Sequence, residues 1–425
     1  MSLLSIQFGK VVSSVRNDGV VLALGRVWSG VWSMVRSIGS GEVLLISGGI
    51  GDSARYRTKH VAEFLRNHGI KAQYAAQRNL FVPGSAKKFR VFVFHRVFMD
   101  ERMRKFVDAI KREKKTIIFE TDDVTFDFET FRKTNGYAAM NSLEKRQYEG
   151  GLGTELLRDP YVQVATTTTN FLAQKLQAFG KEVFVVPNML SEGDMQTQVT
   201  GDKDSSDKQT RVTGDKKEYS LSLVPCHLSQ DELHVTCHLS PVTIAYFSGT
   251  RSHDRDFASI APAVVRVLKT YPNAILVIAG PLKLGNVFGE VSKRIVHLPF
   301  ADRKRHFRNI ASVDINLAPL EVGDAFCEAK SELKWIEAGA VGVPTVASAT
   351  RTFREAIVDG EDGFVAEGED EWVAKLSQLV ENTDLRRKMG LAARKKIWRE
   401  YTTKSDRAGG YVNRLRVIVV EDSKV

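Results

Sequence analysis

Cysteine is scarce in this chain of 425 residues. Cys226, Cys237 and Cys327 form neither a disulfide framework nor a metal-ligand spacing, and the usage points to a reducing compartment. No apolar run reaches the roughly 18–20 residues that a membrane span needs. The first apolar stretch is broken by Lys10, Arg16 and Asp18, so no secretory leader is expected. RNA-binding signatures, zinc fingers and a convincing helix-turn-helix are also missing. The net charge of +10 is therefore not read as a nucleic-acid footprint. Its basic residues are scattered, and phosphorylated substrates or an anionic membrane surface account for the same total.

What is present describes a soluble globular protein: 43% hydrophobic and 26% charged residues, in a chain too long for one comfortable core. Residues 1–40 carry Trp28 and Trp32 at helical spacing with Arg16, Arg26 and Arg36 nearby. This segment reads either as an interfacial amphipathic helix or as a helix packed on the first domain. From 41 to 190, short apolar runs such as "EVLLISGG", "RVFVFH" and "KTIIFETDD" alternate with helical stretches. That alternation argues for a parallel sheet covered on both faces. Residues 191–240 are polar and contain echoes, "VTGDK" at 199 and 212 and "CHLS" at 226 and 237, and read as an insertion or linker. The adjacent Cys-His pairs there are a by-product of that duplication and no metal site is expected. A second α/β domain occupies 241–402, and 403–425 reads as a tail. The expected fold class is α/β, two Rossmann-like domains facing an interdomain cleft.

One stretch in the second half poses a chemical question. "EAKSELKWIEAGAVGVPTVAS", 328–348, reads as a helix with Leu333, Ile336 and Ala340 on an apolar face and Lys330, Lys334 and Glu337 on a polar one. Helix N-termini repel cations, so lysines there are disfavoured unless an anion is bound. A diphosphate would collect backbone N–H groups, the Ser331 hydroxyl and ammonium charge together. The plainer alternative is a solvated Lys334–Glu337 pair.

From Phe247 to Ala366 the chain resembles the GT-B glycosyltransferases of the family 4 type, which retain anomeric configuration. The resemblance rests on "YFSGTRSHDRDF", "ILVIAGP", "VDINLAPLE", "AKSELKWIEAGAVGVPTVAS" and "REAIVDGEDGFVA", in that order. It extends more loosely to "GDSARYR", "ETDDVTFD" and "VFVVPNML" in the first half. The resemblance implies sugar transfer from a nucleotide-diphosphate donor to a glycan or lipid-linked acceptor, with the donor on the second domain. Glu337 falls on the family's ribose-binding glutamate. Gly249, Arg251 and Arg255 fall in the loop near the donor phosphates, and Lys330, Ser331 and Lys334 would complete the donor set. The family's other glutamate, eight residues earlier, is Ala329 here, so its role around the donor sugar is unassigned.

Arg255 and Lys334 would stabilise the departing diphosphate in place of a metal, and neither metal nor cofactor is expected. In the first domain, Asp122 and Asp123 end a buried strand and read as acceptor or proton contacts, or as loop caps. His95 ends another strand and reads as catalytic or structural. Arg96, Arg55 and Arg57 are acceptor-side candidates. An epimerase or phosphorylase of the same fold, or a non-catalytic binding protein, are the alternatives. Nucleotide sugar and glycan or lipid-linked acceptor are the expected partners, with membrane contact through 1–40. The expected location is the cytoplasm, at the inner face of the cell membrane if that segment binds lipid.

Overall fold

The computed structural model describes residues 30–195, 240–249 and 254–421, less positions 31, 50, 139, 143, 144, 146, 147 and 150. Most of the N-terminal segment and of the 191–240 insertion therefore lies outside the described residues. The chain divides into two units. The first comprises Met1–Ser191, Asp324–Ser331 and Arg399–Val425, and the second Glu192–Gly323 and Glu332–Trp398.

The first unit is built on β1 (Val43–Ser47), β2 (Ala72–Ala76), β3 (Val91–His95), β4 (Thr116–Thr121), β5 (Val164–Thr167) and β6 (Glu182–Val185), in the order β2-β1-β3-β4-β5-β6 and all parallel. Every residue of β1 and β3 is buried. This explains their unbroken apolar runs, because helices cover both faces of a parallel sheet. After β1 the chain winds through Asp52–Ala54, a π-helical Arg55–His60 and Val61–Asn67. Helix α1 (Glu101–Arg112) starts where the Asp100 side chain accepts from Met103 N, and buries Met103, Phe106, Val107 and Ile110. Helix α2 (Asn170–Gln177) is capped in the same way by Thr169.

The second unit holds β7 (Val242–Phe247), β8 (Ala274–Ala279), β9 (Ile295–Leu298), β10 (Ile315–Ala318), β11 (Thr345–Ser348) and β12 (Phe364–Ala366), in the parallel order β12-β11-β10-β7-β8-β9. Around it lie α3 (Ala261–Thr270), α4 (Arg303–Ala311), α5 (Leu333–Ala340), α6 (Gly368–Glu381) and α7 (Thr383–Glu400). Helix α5 buries Trp335 and Ile336, and the isoleucine alone contributes roughly 1.5–3 kcal/mol. The helix ends on Gly342, whose φ of 80° few other residues tolerate, and Pro344 follows before β11. The carbonyl of Gly342 also lies 1.9 Å from where a Cβ on Gly390 would sit, so α7 approaches this turn only because it carries glycine. Both units are therefore Rossmann-like α/β domains, as the alternation of runs and helices predicts.

Two boundaries differ from the sequence reading. Residues 403–425 are not a tail: α8 (Gly409–Glu421) packs Tyr411, Val412, Leu415, Ile418 and Val419 onto Val43, Leu45, Val91 and Val93. The short piece 324–331 belongs to the first unit although it lies within the second domain's sequence. Ala329 is completely buried in the first unit's core, with Phe326 packed beside it. Among the described residues no helix is long and apolar enough to cross a membrane.

Candidate functional site

In open parallel sheets ligands collect beyond the strands' carboxyl ends, where the strand order reverses. In the first unit this point lies between β1 and β3. Gly48 follows β1, and a Cβ there would meet the Arg96 carbonyl oxygen at 2.0 Å, so glycine lets the two strand ends close up. Arg96 has φ 48°, an uncommon conformation for a non-glycine residue and one that collects at functional sites.

His95 is 1% exposed. Its Nδ1 is 3.0 Å from Ser47 Oγ, and its Nε2 is 2.9 Å from Asp122 Oδ1 and 3.3 Å from Ser53 Oγ. Ser53 donates to Asp122 Oδ2 at 2.7 Å. Arg96 Nε lies 2.5 Å from Asp122 Oδ1, an ion pair without hydrogen-bond alignment, and its Nη2 donates to Asp123 Oδ2 at 3.0 Å. Lys330 donates to the same Asp123 oxygen at 3.1 Å and sits 3.7 Å from the Phe326 ring centroid. This is not a hydrolase triad: the serine opposite the carboxylate on the imidazole is Ser47, which is 2% exposed and out of a substrate's reach.

Burial alone would raise the Asp122 pKa, but the Arg96 and His95 charges and the bonds from His95 and Ser53 hold it well below the carboxylate range. Conversely, burial works against the Arg96 charge, and Asp122 and Asp123 more than offset it, raising the guanidinium pKa. Asp122 is thus a fixed anion that orients His95, and a role as proton acceptor is disfavoured.

In the second unit the strand order reverses between β7 and β10. There Lys334 Nζ donates to the carbonyl oxygen of Phe247, the last residue of β7, at 2.5 Å, and lies 5.0 Å from the Tyr246 ring centroid. Desolvation lowers the Lys334 pKa, and Glu337 and Asp256 only partly counter it. Glu337 accepts from Arg303 Nη1 at 3.1 Å, with His306 Nε2 3.1 Å from its other oxygen. The plainer alternative, a solvated Lys334–Glu337 pair, gives way to contacts from α4.

Among the remaining candidates, Arg255 is 57% exposed in its side chain and pairs with Glu321 at 2.5 Å. Gly249 is exposed, and a Cβ there would meet nothing within 4 Å, so packing does not require glycine. Arg251 lies outside the described residues. Arg55 lies 3.5 Å from Asp52 on its own helix. Arg57 is a correction: it is fully buried, donating to Glu120 at 2.8 Å, to the Val186 carbonyl at 2.7 Å and to Asn188 Oδ1 at 3.3 Å. A guanidinium so enclosed braces β4 against the segment after β6 and cannot touch an acceptor. Ser331 accepts from Asn188 Nδ2 at 2.8 Å. Lys330 and Ser331 precede α5, which begins at Leu333, so of the three only Lys334 lies on that helix. Sequence reasoning passed over Ser53, Asp194, Arg303 and His306. For the last two a signal existed, since "RKRH" places them three apart on one helix face.

With this geometry in view, comparison with known proteins gives the class. Residues 262–408, less than half of the chain, match the model of a family described as glycosyl transferase-like. No curated protein matches. Among solved structures the chain is similar to HepE from Anabaena in complex with UDP, at 11% identity and TM-score 0.51, covering 89% of this chain and 99% of that one. It is similar also to sucrose-phosphate synthase from Thermosynechococcus elongatus, at 10% identity and TM-score 0.51, covering 88% and 99%. At such identities the likeness establishes the fold: two Rossmann-like domains of the GT-B class.

Proposed function

We propose that the protein transfers a sugar from a nucleotide-diphosphate donor to a glycan or lipid-linked acceptor, with retention and without a metal, in polysaccharide biosynthesis. The second unit takes the donor and the first the acceptor. The observation that carries this reading is Lys334, an ammonium desolvated at the strand-order reversal whose hydrogen bond goes to a neutral carbonyl. A departing diphosphate there meets a cation already partly withdrawn from water and held in place, an arrangement that stabilises developing charge. The glycosyl transferase-like match at 262–408 includes this helix, and the similar HepE structure contains UDP.

In the reaction the bond from the sugar's anomeric carbon to the phosphate oxygen breaks, and a bond to the acceptor oxygen forms on the same face. The acceptor proton leaves with the phosphate. Lys334 and Arg255 stabilise that leaving group and Glu337 holds the donor ribose, while His95, buried between Ser47 and Asp122, orders the acceptor-side loop without touching the acceptor.

Calorimetric screening of nucleotide sugars and their nucleoside diphosphates tests the reading, because binding one base class tightly is expected. Product analysis with donor alone then separates transfer from epimerisation or hydrolysis. Failure of every nucleotide to bind would remove the proposal. Residues 1–40 are assigned a contact with the inner membrane face, and vesicle flotation with and without them is the check.

A further inference from the structure

The carboxylate of Glu337 is gripped by two side chains of α4. Arg303 opens that helix and His306 lies one turn on, so both project from one face. They reach different oxygens of Glu337, each at 3.1 Å. Arg303 is itself pinned: Nε and Nη2 donate to the two Asp194 oxygens at 2.6 and 3.0 Å, and its guanidinium carbon sits 4.9 Å from the Phe307 ring centroid. His306 is steadied edge-on by Phe247, 5.5 Å between centroids, the same residue whose carbonyl receives Lys334. Side-chain exposures of 14%, 8% and 12% for Arg303, Asp194 and Glu337 mean that the Arg303 bonds are shielded from competing water, while His306 is more open at 27%. A fork fixed on one carboxylate cannot rotate freely, so it dictates the plane of the other.

We infer that Arg303 and His306 are positioning residues that set the Glu337 carboxylate for a vicinal diol, and so decide how strongly the site prefers ribonucleotides over 2′-deoxyribonucleotides. This rests on the donor reading above. A carboxylate held in one plane accepts both diol protons in short, charge-assisted bonds, and a donor lacking one hydroxyl leaves that oxygen poorly satisfied. A carboxylate allowed to swivel would bind either sugar through one bond.

The test uses the full chain and calorimetry with UDP against 2′-deoxy-UDP, and with the matched ADP and GDP pairs. Wild type is expected to favour the ribonucleotide about ten- to a hundredfold, the worth of one charged hydrogen bond. Arg303→Gln and His306→Ala should bring the ratio toward parity, while His306→Gln, which keeps an N–H donor, restores most of it. Asp194→Asn, which loosens Arg303 without removing it, should fall between and guards against Arg303 variants that fail to fold. An unchanged ratio in folded variants, or tighter ribonucleotide binding because the two side chains block the carboxylate, overturns the inference and leaves the donor reading standing. Absence of nucleotide binding by the wild type removes both.

Discussion

The cations at the strand-order reversals of the two sheets are held differently. In the first unit Arg57 is matched by Glu120, Arg96 by Asp122 and Asp123, and Lys330 by Asp123. In the second, the hydrogen bond of Lys334 goes to a backbone carbonyl. A cation bonded to carboxylates has little to gain from another anion, since binding would break charged bonds already made. An ammonium bonded to a carbonyl, with Glu337 and Asp256 only partly offsetting its burial, has more to gain when a phosphate arrives. The contrast therefore lies between carboxylate-held cations in the first unit and the single carbonyl-held Lys334 in the second.

The sharpest way to break this contrast is to remove a cation from the first unit. Arg57→Ala leaves the Glu120 carboxylate buried without its partner, and a loss of about 3–5 kcal/mol in denaturant unfolding is expected. A change under 1 kcal/mol would mean the network is not structural. Ala329→Glu puts a carboxylate in the first unit's apolar core and should cost stability on a similar scale. Burial would raise the pKa of that new carboxyl, so the penalty is least near about pH 4 and grows as pH rises. A pH-independent penalty would place the side chain in water.

Removing the cation from the second unit should instead spare the fold. Lys334→Met is expected to lower turnover by about 10²–10³, the effect of losing one preorganised donor. Its unfolding free energy should stay within about 1 kcal/mol of wild type. Normal turnover in a folded Lys334→Met protein would end the leaving-group assignment. Asp122→Asn sits between the two cases. It should slow transfer by freeing His95 and also destabilise at neutral pH. The Asp122 pKa is depressed, so that stability gap is present above the ordinary carboxylate range and closes as pH falls from about 4 toward the folded value. Smallest of all is Glu321→Gln, which releases a largely exposed Arg255: about 1 kcal/mol of stability or less, with slightly tighter binding of a nucleoside diphosphate.

The alternation of apolar runs and amphipathic helices made the strands of both sheets legible, because full burial between helices demands such runs. His95, Asp122 and Asp123 were legible as polar residues ending buried strands. The ion pairs joining them to Arg96 and Lys330 were not, since Lys330 lies 207 positions from Asp123. The same holds for Asp194, which reaches Arg303 across 109 positions. That Lys330 and Ser331 lie ahead of the helix was not legible for a related reason. Helical periodicity describes neighbours on one element, whereas α5 begins only at Leu333 and the preceding residues are held by the first unit's core.

By itself, then, the sequence determined the elements, their class and the kinds of charge available, because local periodicity and burial are written residue by residue. Only the tertiary structure decided which charges neutralise one another and that Lys334 rests on a carbonyl. Partners so distant in the chain meet only after the sheets close, and desolvation belongs to the folded surroundings rather than to any residue alone.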